Sequence, residues 1–203
     1  MPAHFTESSY EESIIELFEG MDYRYVYGPE LERDYMNPLY VEDFEDSIYR
    51  INKGKDREAI KDAIYRITHI ENGSLEKKNQ VFTNYLQNGV DVSYFKDGKE
   101  KSDIVYLIDY ENVSNNSFVV ANQWTFIEHS NKRPDVILFI NGMPLVLVEL
   151  KSPSREETDV SEAYTQLRNY MLEIPSMFIY NQICVMSDQL TSKAGTITSG
   201  EDR

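Results

Sequence analysis

Between Arg133 and Lys151 the chain carries two apolar runs, Val136–Ile140 and Leu145–Val148, separated by Asn141 and Gly142. Asp135 precedes the first run, and Glu149 and Lys151 follow the second. Two such runs around Asn-Gly read as a β-hairpin. Charge set against a Val, Ile and Leu sheet is costly unless it is paired or holds a metal. Two carboxylates and a lysine gathered there suit Mg²⁺-assisted phosphodiester hydrolysis.

Whether the three groups meet depends on register. Side chains alternate faces along a strand, so Glu149 and Lys151 share one face. A strict two-residue turn sets Asp135 opposite Val148, facing away from Glu149. A three-residue turn over Asn141–Met143, with Ile140 pairing Pro144, sets Asp135 directly opposite Glu149. Asn141 and Gly142 tolerate the positive φ that a bulged turn needs, and Pro144 cannot donate to a ladder. The expectation is a bulged or three-residue connection.

The rest of the chain reads as a mixed α/β (α+β) domain: a mixed β-sheet flanked by helices, with a helical N-terminal region. Residues 1–203 read as one domain, mainly helical over 1–89 and sheet-rich over 90–203. A first helix starts at a capping box on Ser8 or Ser9, each three residues before a glutamate, and stops near Gly20. A short strand spans 22–27. Helices follow over Leu39–Ile51, Arg57–Ile70 and Leu75–Leu86, with apolar residues such as Ile60, Ile64 and Ile67 at helical spacing.

From Val90 the period changes to two. Val90–Phe95 and Ser102–Tyr110 flank a turn at Asp97-Gly98, and Phe118–Glu128 is a further strand. Ser152–Thr158 is a polar loop. A helix then starts at Asp159 or Ser161, carries Val160, Ala163, Leu167, Met171 and Ile174 on its apolar line, and ends before Pro175. Strands over Gln182–Ser187 and Lys193–Thr198 close the pattern.

The net charge is −15, which is awkward for a protein that must meet phosphates. Its distribution matters: residues 1–50 carry 13 acidic and 3 basic side chains, the remaining 153 carry 22 and 17. The acidity lies mainly away from the hairpin. A single cysteine, Cys184, rules out an internal disulfide and suits a cytoplasmic location. His4, His69 and His129 are scattered, which disfavours zinc. No apolar run approaches the ~20 residues of a membrane span, and no secretory leader opens the chain.

Pro134-Asp135 followed by Glu149-Leu150-Lys151 resembles the core of the PD-(D/E)XK nucleases. More closely, the chain is similar to the N-terminal nuclease domain of the R subunit of type I restriction enzymes. Arg133-Pro134-Asp135, Asn141 to Val146, and Glu149 to Ser152 carry the likeness. Gln166 and Tyr170 match a Gln-x-x-x-Tyr motif after the lysine. Asn79-Gln80-Val81-Phe82 and Leu107-Ile108-Asp109-Tyr110 have the same character.

The resemblance implies a Mg²⁺-dependent endonuclease acting on double-stranded DNA and leaving 5′-phosphate and 3′-hydroxyl ends. Asp135, Glu149 and Lys151 are then catalytic, and Asp135, one Glu149 oxygen and the Leu150 backbone carbonyl hold the metal. Glu11 matches a glutamate on the first helix that approaches the metal, though it equally occupies the capping-box position after Ser8. Gln166 and Tyr170, four apart on one helix face, would support DNA or the metal site; ordinary polarity at a core boundary explains them too. Arg133, Arg168 and Lys132 are phosphate-contact candidates.

The R subunit of that family is an ATP-driven translocase, yet no G-x-x-x-x-G-K-[S/T] loop occurs here. The motor domains that bind ATP would belong to the same longer polypeptide, and the partners would include modification and specificity subunits. Three rivals stand beside this reading. The acidity suits a DNA mimic without catalysis; the motif also suits another PD-(D/E)XK repair nuclease or resolvase, or a degenerate fold kept for assembly.

Overall fold

A computed structural model describes residues 6–151 and 160–200. It forms a six-stranded mixed sheet with helices on both faces and a helical N-terminal half. Helix α1 (Glu7–Glu19) is capped by Thr6, whose hydroxyl accepts from the Ser9 N–H, and ends at Gly20. The start is therefore not a Ser8 or Ser9 capping box. Strand β1 (Arg24–Tyr27) follows, then α2 (Val41–Ile51), α3 (Arg57–Thr68) and α4 (Leu75–Asn88). These helices bury Phe44, Ile48, Ile60, Ile67, Phe82 and Leu86 together, the stripe that their periodicity announces.

Strands β2 (Val90–Lys96) and β3 (Lys99–Val105) pair through a turn at Asp97-Gly98, but as a separate two-stranded sheet. The second strand stops short of Tyr110 because Asn52 takes over the pairing. Its amide donates to the Tyr106 carbonyl at 2.8 Å and its carbonyl accepts from the Tyr106 N–H at 2.9 Å. The strand expected over Phe118–Glu128 is likewise broken. β4 (Phe118–Asn122) ends where Gln123 turns left-handed at φ 53°, and Phe126–Ile127 (β5) pairs Asn131–Lys132 (β6) in a small ribbon.

Strand β7 (Val136–Ile140) and β8 (Met143–Leu150) form the central hairpin. The turn holds two residues, Asn141 and Gly142, both at positive φ (50° and 72°), so Ile140 pairs Met143 rather than Pro144. The three-residue turn does not form. Instead the ladder shifts beyond it: Phe139 faces Pro144 while Leu138 faces Val146. The bulge at Leu145 supplies the extra residue. Val136 then pairs Val148, which brings Asp135 into line with Glu149.

The turn is seated on the helical half. Tyr40 donates its N–H to the Gly142 carbonyl at 2.9 Å, and a Cβ on Gly142 would lie 2.4 Å from the Phe44 nitrogen and 2.5 Å from the Tyr40 oxygen. Buried Asn141 accepts from the Ser117 N–H and donates to the Leu107 carbonyl. Gly142→Ala is therefore expected to destabilise the domain by at least about 1–3 kcal/mol, measured by urea unfolding; an unchanged midpoint would show that the turn is not clamped. Asn79 has a comparable structural task, donating to the carbonyls of Phe178, Ile179 and Asn181.

Helix α5 (Val160–Glu173) buries Ala163, Leu167 and Met171 against the sheet, with Ile174 just beyond its end buried in the same cluster. The polar loop expected over Ser152–Thr158 and the Asp159 helix start lie outside the described residues. Pro175 does not simply end a helix; it opens a further one, α6 (Pro175–Tyr180), as its fixed φ permits. β9 (Ile183–Ser187) and β10 (Ser192–Gly195) complete the sheet order β1-β4-β7-β8-β9-β10. Strand β8 runs parallel to β9 and antiparallel to β7. Val119, Ile137, Phe139 and Leu147 pack with α5, whereas Val120, Val136, Val148 and Leu150 pack with Ile15 of α1.

Candidate active site

Strand parity puts Glu149 on the same face as Leu147, beneath α5, and the hairpin bulge puts Asp135 beside it. The Asp135 carboxylate accepts the Leu150 N–H at 2.7 Å, which ties the two strand ends together just past the last ladder pair. Lys151 Nζ donates to Glu149 Oε1 at 2.9 Å. The three groups singled out from the sequence thus converge at one end of the central hairpin.

Glu149 is fully buried, and its other oxygen, Oε2, makes no hydrogen bond. Burial pushes its carboxyl up to about 8, and the neighbouring Asp135 carboxylate adds to the rise against the opposing Lys151 ammonium. A buried carboxylate with an uncommitted oxygen costs free energy. Such an oxygen beside a second carboxylate suits a hard divalent cation, which prefers oxygen ligands.

Across the strand ends stands Tyr170 of α5, its hydroxyl accepting from Gln166 Nε2 at 2.7 Å. Burial raises its proton affinity and the charge of Glu149 raises it further. The Gln166–Tyr170 pair is therefore brought against the site. Both line an open groove of about 440 Å³ together with Lys132, Thr165 and Asn169. Lys132 is paired with Glu173 at 2.6 Å.

On the α1 side, Asp135 and Arg133 line a larger cleft of about 680 Å³ with Glu11, Glu12, Glu16 and Glu19. Glu11 reaches it, but its Oε1 accepts from Asn122 Nδ2 at 2.6 Å. Among the described residues, no three acidic, histidine or cysteine side chains gather as a metal-holding group. Two carboxylates, Asp135 and Glu149, are what the hairpin end offers. Arg168 turns elsewhere, donating to the Ile197 carbonyl at 3.0 Å, and lines neither opening.

Sequence reasoning missed Tyr10, Asn122 and Ser187. The Tyr10 hydroxyl lies 2.7 Å from Ser187 Oγ, and the Ser187 carbonyl accepts the Lys151 N–H at 2.9 Å. Tyr10 and Ser187 stand far apart in the chain, as do Glu11 and Asn122, and no local pattern announces either contact. Among the described residues, no helix is long and apolar enough to cross a membrane.

Comparison with known proteins places the chain in a family. A family model described as the N terminus of the type I restriction enzyme R protein matches residues 4–203. The chain is 30% identical over 207 residues to the type I restriction enzyme HindI endonuclease subunit of Haemophilus influenzae, covering 97% of this chain and 20% of that protein. It is 34% identical over 203 residues to the putative type I restriction enzyme MjaIXP endonuclease subunit of Methanocaldococcus jannaschii, covering 95% and 19%. It is 29% identical over 135 residues to the type I restriction enzyme EcoprrI endonuclease subunit of Escherichia coli, covering 64% and 40%. The chain spans about one fifth of the length of the first two relatives.

Proposed function

The chain belongs to the family of type I restriction enzyme R protein N-terminal domains, and on that premise we propose that it is a Mg²⁺-dependent DNA endonuclease domain. The observation that carries the reading is Glu149: a fully buried carboxylate with an unbonded oxygen, set beside Asp135 and Lys151. A core would exclude such a group unless function retained it.

Asp135, Glu149 and the Leu150 carbonyl would hold the cation. When bound, Mg²⁺ supplies charge at the scissile phosphate and lowers the pKa of an attacking water. Lys151 favours the ionised form of Glu149 against burial and orients that water or offsets charge on the phosphate. Gln166 and Tyr170 support the site from α5, and Arg133 and Lys132, which line the two openings, would contact phosphates of the duplex. Arg168 is left out of this set, because its guanidinium holds the closing segment.

The domain carries a large negative charge and a carboxylate-rich cleft, so DNA must be delivered by other parts. ATP-binding motor domains of the longer polypeptide, with modification and specificity subunits, would bring duplex DNA to it in the cytoplasm. A DNA mimic has no need of a buried carboxylate paired with lysine.

The test is supercoiled plasmid cleavage by the reconstituted assembly with ATP and Mg²⁺. Asp135→Asn is expected to abolish cutting while ATP hydrolysis continues. Cutting that survives this change would remove Asp135 from the site and the reading with it.

A further inference from the structure

Strands β4 and β9 flank the central hairpin, one on each side. Two successive residues of α1 grip them separately: Tyr10 reaches Ser187 of β9 at 2.7 Å, and Glu11 reaches Asn122 of β4 at 2.6 Å. Both anchors sit at telling register positions. Asn122 pairs Val136, the residue after Asp135. Ser187 pairs Leu150, the residue between Glu149 and Lys151.

We propose that α1 is a clasp across the catalytic hairpin, with Tyr10 and Glu11 as positioning residues that set the spacing of Asp135 against Glu149 and Lys151. This rests on the nuclease reading above and assigns Glu11 a role other than metal ligation.

Each anchor is itself held on a second side. Asn122 is buried, and while its Nδ2 donates to Glu11, its Oδ1 accepts from the Tyr25 hydroxyl at 2.9 Å. Ser187 is buried, and its Oγ also lies 2.7 Å from Ser192 Oγ. Its carbonyl receives the Lys151 N–H, so a shift of Ser187 moves Lys151 directly. Beneath the two polar contacts, Ile15 packs on Val136, Val148 and Leu150, which keeps the helix seated over both strands. Among the described residues, the hairpin has no ladder pair beyond Val136 and Val148. The geometry of its end therefore depends on what holds the flanking strands.

A positioning role and a ligand role make opposite statements about Glu11→Gln. That variant keeps an acceptor oxygen for Asn122 but loses the anionic charge that a cation requires. The experiment uses the 203-residue chain, with amide hydrogen exchange in metal-free buffer and calorimetric titration with Mg²⁺ alone. Tyr10→Phe and Ser187→Ala are expected to speed exchange of the Lys151 amide about fivefold to tenfold, the factor that one ordinary hydrogen bond carries. Amides of Leu138 and Val120 should be unchanged, since the core is untouched.

Mg²⁺ affinity is expected to fall by a similar factor in Tyr10→Phe and Glu11→Ala, and to stay near wild type in Glu11→Gln. An unchanged Lys151 amide in Tyr10→Phe overturns the clasp, as does Glu11→Gln binding as poorly as Glu11→Ala. A wild-type chain that takes up no Mg²⁺ would sink the nuclease reading, and the exchange rates would still decide the clasp.

Discussion

Lys151→Ala in the assembled enzyme is expected to slow plasmid cleavage by about 10²- to 10³-fold, the loss typical of one preorganised charge at a reacting centre, with ATP hydrolysis unaffected. The ammonium lies 2.9 Å from Glu149 Oε1 and its side chain is only 13% exposed, so its charge acts in a medium poorly screened by water. Two tasks can be separated by pH. Lys151 opposes the burial that pushes Glu149 up to about 8; without it, the carboxyl holds its proton to still higher pH and gives up metal binding near neutrality. Raising the pH or the Mg²⁺ concentration restores the anion and the metal. A charge aimed at phosphate or water is not restored by either change. The expected result is partial recovery as the pH is raised beyond the wild-type value of about 8, with kcat at saturating Mg²⁺ still far below wild type. Complete recovery would confine Lys151 to holding Glu149 ionised, and unimpaired cutting near neutral pH would remove it from the mechanism.

The parts of the fold that could be read from sequence are those fixed by local repetition. The stripes of α2, α3 and α4 and the alternation around Asp97-Gly98 come from neighbouring residues, and those elements stand close to where they were expected. What escaped depends on residues far away. Asn52 ends β3 by supplying both hydrogen bonds to Tyr106. Gly28 approaches Gln123 so closely that a Cβ would lie 2.6 Å from its carbonyl oxygen, at the point where the strand over Phe118–Glu128 breaks. The hairpin is the instructive case: Asn141-Gly142 makes the tight turn that its residues favour, and the register correction is deferred to Leu145. The consequence at Asp135 is the same by either route, because one extra residue on one strand flips its parity wherever that residue sits.

In the candidate site, spacing alone put Glu149 and Lys151 on one face, and a charged residue in an apolar run drew attention to itself. The partners from α1 and β9 had no such signal. Tyr10 is one of 15 tyrosines, and nothing nearby marks it as the one that meets Ser187. Arg168 shows what spacing leaves open, since a basic residue between Gln166 and Tyr170 looks like a phosphate contact. Two steps along a helix turn a side chain by about 200°, and that turn carries it to the Ile197 carbonyl.

Glu149→Gln is expected to raise the thermal stability of the metal-free domain at about pH 8.5 and to leave it nearly unchanged at about pH 4, below the unfolded-state value. In the unfolded chain the Glu149 carboxyl ionises near ~4.3, whereas in the fold it is pushed up to about 8. Between those values the folded state holds a proton that the unfolded state has released. The stabilisation is fully present below the unfolded value and is lost as pH rises through the folded one. At ~1.4 kcal/mol per pKa unit, ionised Glu149 costs the metal-free fold on the order of a few kcal/mol once the pH exceeds the folded-state value. Glutamine has the same shape, carries no charge, and removes that slope. Melts in EDTA should therefore show the variant several degrees above wild type on the alkaline side, given the usual ~2–4 °C per kcal/mol for a chain of this size. Adding Mg²⁺ should reverse the order, because the cation stabilises only the form that binds it. A variant that melts below wild type under those alkaline, metal-free conditions would mean that Glu149 stabilises the fold by itself, and the case for a site retained at the expense of stability would fail.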